Sequence, residues 1–119
     1  MKLKYLFIVL LFSSVGVIAQ EKQDEFTEKG DLINATLYHD NGIVSQTGFY
    51  NKEGNLHGDW ISFDNKGLKT AVAKYNNGEK VDTWFFYQDK LISEVTYANS
   101  RVSKIKTWEP ANVNIVSYR

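Results

Sequence analysis

The chain has 119 residues, with 14 basic and 14 acidic side chains, one proline and no cysteine. That length admits one small domain, and the missing cysteine excludes a disulfide scaffold. With 43% hydrophobic and 14% aromatic residues the chain is too apolar to be disordered, and its zero net charge leaves no basic footprint for nucleic acid.

Residues 1–19 read as a secretory signal peptide. Lys2 and Lys4 form the positive start, an apolar run extends from Tyr5 to Leu11 and on through Phe12, and Val17-Ile18-Ala19 sets small residues where a signal peptidase cuts. Cleavage is expected between Ala19 and Gln20. The run falls short of the ~20 residues of a membrane span, and Ser13, Ser14 and Gly16 interrupt it. No cysteine stands near the cut to carry a lipid. The expected destination is therefore periplasmic or extracellular, and stability must come from packing alone. Charge is uneven in what remains: residues 20–64 hold nine acids and three bases, residues 65–119 five acids and nine bases. Residues 20–30, charged and with Phe26 as their one large apolar side chain, are expected to form a flexible tether.

From residue 31 the chain is punctuated by Asp40-Asn41-Gly42, Lys52-Glu53-Gly54, Asn65-Lys66-Gly67 and Asn76-Asn77-Gly78. Glycine after Asn, Glu or Lys supplies the positive φ angles of hairpin turns, and the stretches between are rich in Val, Ile, Thr and aromatics. They predict strands near 32–38, 43–50, 56–63, 68–75, 81–87, 91–97, 102–108 and 113–118. The fold class is thus all-β, an antiparallel meander of hairpin repeats in one elongated twisted sheet. Trp60, Trp84 and Trp108 recur every 24 residues, each with an aromatic shortly after or before it in register: Phe63 and Tyr87 open segments as Tyr38 does, and Tyr50, Tyr75 and Tyr97 close them. Three repeats over 31–109 and a C-terminal strand over 110–119 follow. The third repeat, Tyr87-Gln88-Asp89-Lys90, lacks the glycine of the others. Alternation over 81–87 sets Val81, Thr83, Phe85 and Tyr87 on one face and Asp82, Trp84 and Phe86 on the other, so both faces carry aromatics, as a single-layer sheet would.

The unit Tyr-Asn-x-x-Gly-x-x-x-Gly-x-Trp, as in Tyr50-Asn51-Lys52-Glu53-Gly54-Asn55-Leu56-His57-Gly58-Asp59-Trp60, resembles the MORN-type repeat, especially its bacterial form in YwqK-type antitoxin proteins. The second unit, from Tyr75 to Trp84, departs by placing Asp82 where the first has Gly58, and the third keeps Tyr97 and Trp108. The resemblance covers about residues 38–108. It implies a chain of hairpins that holds a protein partner or a membrane surface, with no catalytic residues and no cofactor.

Chemistry read from the residues agrees with that implication. His39, Asp40, His57, Asp59 and Ser62 are the material for an active site, but Ser62 alternates away from His57 and Asp59, so no nucleophile, base and orienting group line up. A nucleotidyltransferase would need a glycine-rich loop with a His-x-x-His signature, which two histidines eighteen residues apart do not make. Two histidines also fall short of a transition-metal set, and the turn aspartates Asp40, Asp64 and Asp89 are expected to bond their own backbone rather than calcium. The expected function is non-enzymatic binding of a protein partner through Tyr50, Trp60, Tyr75, Trp84, Phe86 and Trp108, or through a sheet edge that Arg101, Lys104, Lys106 and Arg119 otherwise blunt. The alternatives are a membrane surface drawn to Lys66, Lys69, Lys74, Lys80, Lys104 and Lys106, and a carbohydrate stacked on exposed tryptophans.

Overall fold

The structure, a computed structural model, describes residues 22–110. The signal segment with its Ala19–Gln20 junction and the expected strand at 113–118 lie outside the described residues. Within them every regular element is a strand: β1 (Glu25–Lys29), β2 (Leu32–Tyr38), β3 (Val44–Asn51), β4 (Leu56–Phe63), β5 (Lys69–Asn76), β6 (Glu79–Lys80), β7 (Asp82–Gln88), β8 (Leu91–Ala98) and β9 (Arg101–Trp108). They form one open antiparallel sheet in meander order, β1-β2-β3-β4-β5-β7-β8-β9, with the short β6 paired to β5. Seven of the eight expected strands fall within the described residues and appear within a residue of their predicted bounds.

The charged lead-in corrects the reading as a tether. Its residues Glu25–Lys29 pair with β2, Phe26 opposite Ala35 and Glu28 opposite Ile33. Alternation gave no sign of this strand because all five residues are exposed. Polar contacts to Tyr38 fasten its start: Asp24 Oδ1 accepts the Tyr38 amide at 2.9 Å, and Glu25 Oε1 accepts the Tyr38 hydroxyl at 2.9 Å. The bond to Glu25 is the main cause that holds the Tyr38 phenol above its usual range.

Three connections share one five-residue design, His39–Ile43, Asn51–Asn55 and Asp64–Leu68. In each, the first amide bonds the fifth carbonyl and the glycine amide returns to the first carbonyl. The glycine sits in the left-handed region that ends a type I turn before a bulge. Asp64 Oδ1 accepts the amides of Lys66 and Leu68, both at 2.9 Å, and Asn51 Oδ1 does the same for Glu53 and Asn55. These backbone bonds, Leu68 first, lower the Asp64 carboxyl below its ordinary 3.8.

Buried residues are few among those described: Ala35, Gly48, Trp60, Ala73 and Trp84. All five lie on one face: Ala35 opposes Gly48 across β2 and β3, the Trp60 ring lies over Gly48, Trp60 opposes Ala73 across β4 and β5, and Trp84 belongs to the same cluster. Gly48 is required beneath the first indole. A Cβ built on it would overlap the Trp60 ring at Cδ2 and Cε2.

Two outcomes follow from these contacts. Gly48→Ala is expected to lose at least about 2 kcal/mol in urea denaturation, as overpacking does; unchanged stability would deny the close approach. Asp64 contributes stability that is present above its unfolded pKa and is lost as pH falls through the lowered folded value. Asp64→Asn, which copies Asn51, should keep the melting temperature at neutral pH and flatten the acid slope below about pH 4, whereas Asp64→Ala should lower melting at both.

Candidate functional site

Two hairpins build the site by the same device. Trp60 Nε1 donates to the Phe49 carbonyl at 2.9 Å, and Trp84 Nε1 donates to the Lys74 carbonyl at 3.0 Å. Each indole therefore lies back across the neighbouring strand, β3 for Trp60 and β5 for Trp84, with its polar atom satisfied and its ring buried, 4% and 7% exposed. The tyrosine that follows each accepting residue packs on the ring: Tyr50 on Trp60 at 5.0 Å and 74°, and Tyr75 on Trp84 at 5.1 Å and 62°. Tyr97 closes the other side of Trp84 at 4.9 Å. Burial raises the Tyr75 phenol, with Tyr97 adding to it.

A left-handed residue makes this crossing possible. Gly58 (φ 77°) precedes Trp60 by two residues, and Asp82 (φ 57°) precedes Trp84 by two. The departure noted in the sequence is thus conservative in conformation, because aspartate is among the side chains that tolerate this region.

The third tryptophan is not equivalent. Trp108 opposes Ile92, which puts it on the other face, and the residue opposite Val95 is Ile105. The Thr96 carbonyl, which corresponds to those of Phe49 and Lys74, is taken by Ser103 Oγ at 3.1 Å. The β7–β8 turn is shorter than Asp64–Leu68, so the equivalent position arrives three residues before the 24-residue period predicts. The glycine missing after Tyr87 is the sequence sign of that shorter turn.

Between the two indoles the face holds a shallow groove of about 230 Å³, lined by Gln46, Leu56, Trp60, Ser62, Tyr75 and Phe86 among others. Of the six side chains expected to bind a partner, Tyr50, Trp60, Tyr75, Trp84 and Phe86 come together on this face, with the two tryptophans as its floor rather than its contact surface. Trp108 stands apart. Sequence reasoning missed Gln46 and weighed Ser62 only as a nucleophile; the two oppose each other across β3 and β4 on the groove side, and alternation from Trp60 to Ser62 is the signal that finds them.

The alternative readings lose their geometry. Sugar stacking on a ladder of three tryptophans needs exposed rings on one face, and Trp60 and Trp84 are buried. The lysines are divided between the faces: Lys80 reaches over Trp84 and Tyr97 on the groove face, whereas Lys74, 3.5 Å from Asp59, and Lys104 and Lys106 lie on the other. Both histidines are committed to backbone: His39 Nε2 donates to the Phe63 carbonyl, and His57 Nδ1 accepts the Asn77 amide. Among the described residues no three His, Asp or Glu side chains gather as a metal set.

Comparison with family models, with curated proteins and with solved structures returns no match to this chain.

Iodide quenching separates the tryptophans. The accessible part of the emission should come from Trp108 and vanish in Trp108→Phe; an accessible fraction that survives this substitution would contradict the burial of the other two.

Proposed function

We propose that the chain is an exported, non-enzymatic binding module of MORN-like hairpins that holds a protein partner on its groove face, in the manner of an antitoxin. The observation that carries the reading is the aromatic groove itself: one face of a single-layer sheet gathers Tyr50, Leu56, Tyr75 and Phe86 around two buried indoles, and no second layer covers it among the described residues. A soluble sheet normally hides such a face against another element. Half-buried aromatics flanked by Gln46 and Ser62 suit an apolar or aromatic segment of another protein, with two polar groups to fix its direction. The N-terminal segment of the sequence supports export, and the hairpin motif supports the MORN-like character.

The test leaves the indoles intact, because replacing Trp84 would remove the floor. A photoreactive phenylalanine analogue is placed at Gln46, which is exposed and lines the groove, and in a second chain at Asp59, which is exposed on the opposite face. Irradiated in the native host, the Gln46 variant should capture one protein that the Asp59 variant does not. Equal capture at both positions, or lipid or glycan alone, would overturn the proposal.

A further inference from the structure

The two outermost strands differ in sign. On and beside β1 stand Asp24, Glu25 and Glu28, against Lys22 and Lys29; β9 carries Arg101, Lys104 and Lys106 and no acid. Among the described residues nothing pairs with the outer side of either strand. The path from one to the other counts eight strands, each antiparallel to the next, so β9 runs opposite to β1. A second copy shifted sideways without rotation therefore presents its β1 antiparallel to β9, with both groove faces on the same side. An odd count would have set the two strands parallel.

We propose that the chain binds a second copy of itself head to tail, the β1 of one copy adding to the sheet of the other alongside β9. The register that places Phe26 opposite Ile105 fits both faces. These are groove-side residues, opposite Ala35 and Val95 within their own chain, and they are 58% and 65% exposed. Each covers the other in the pair. The same register sets Glu25 opposite Lys106 and Thr27 opposite Lys104 on the far face. The basic edge does not suit its own kind: β9 against β9 with Ile105 facing its copy sets Lys104 opposite Lys106, which is unfavourable for directly opposed charges. The charges that guard β9 from a second β9 thus make it complementary to β1. Because the contact is heterologous, it does not close at two copies but continues as a row. The junction is one strand pair wide, so association depends on concentration and weakens with salt. This inference is independent of the partner proposed for the groove.

The chain has no cysteine, which makes cross-linking clean. Residues 20–119 are prepared as Phe26→Cys and Ile105→Cys, mixed and oxidised. The expected product is the mixed disulfide in excess over either homodimer, and the double variant should give a ladder of multimers. In sedimentation, Lys106→Glu should weaken association about fivefold, the effect of one opposed like-charge pair, and Glu25→Lys combined with Lys106→Glu should restore it. A chain that stays monomeric at all concentrations, as it would if its own residues 111–119 held the β9 edge, overturns the proposal. Homodimers exceeding the mixed species, or no recovery in the charge-swapped double variant, overturn it as well.

Discussion

Trp60 reaches back over β3 and Trp84 over β5, and the bond from Nε1 to a backbone carbonyl fixes where the ring comes to rest. A sheet one layer thick has no opposing surface to bury against, so its interior must be made from side chains that lie flat on their own neighbours. The indole suits this because it is broad and carries a single donor at its edge, which the carbonyl of Phe49 or Lys74 satisfies. Everything else on the groove face is arranged around these rings. Tyr50, Tyr75 and Tyr97 stand at their sides, Gly48 and Ala73 lie beneath, and Gly58 and Asp82 bend the chain to aim them.

The same arrangement explains how the groove arises. Two rings pressed onto the sheet leave a trough between them that Leu56 and Phe86 flank and Gln46 and Ser62 reach. The groove is a by-product of spacing between interior elements, which gives it a fixed floor. Its polar members come from the small or polar residues that alternate with the aromatics on β3 and β4.

Much of the fold was legible because hairpin chemistry is local. Gly42, Gly54 and Gly67 end turns of one design, and Asn77-Gly78 supplies two adjacent left-handed residues, so strand bounds could be read between them. The face carrying Trp84 and Phe86 followed from alternation. Two features resisted. β1 has no burial pattern to betray it, since its pairing rests on backbone bonds and on contacts with Tyr38, which lies more than ten residues further along. The register of the last hairpin depends on a shorter turn, which moves every later side chain relative to the period and carries Trp108 to the other face. Tryptophan spacing alone does not reveal that change.

Beneath successive ring positions the sheet places Gly48, Ala73 and Val95, a series of growing volume, and over the last of them stands Ile105 instead of an indole. Side-chain size at that point acts as a terminator. A glycine leaves the ring its full seat, an alanine narrows it, and a valine fills the space with branched carbons while Ser103 takes the carbonyl. Lengthening such an array by duplicating a hairpin would therefore require more than copying a segment: the old end must first be reopened, with a small residue restored at 95 and a tryptophan at 105, before a further unit has an interior to join.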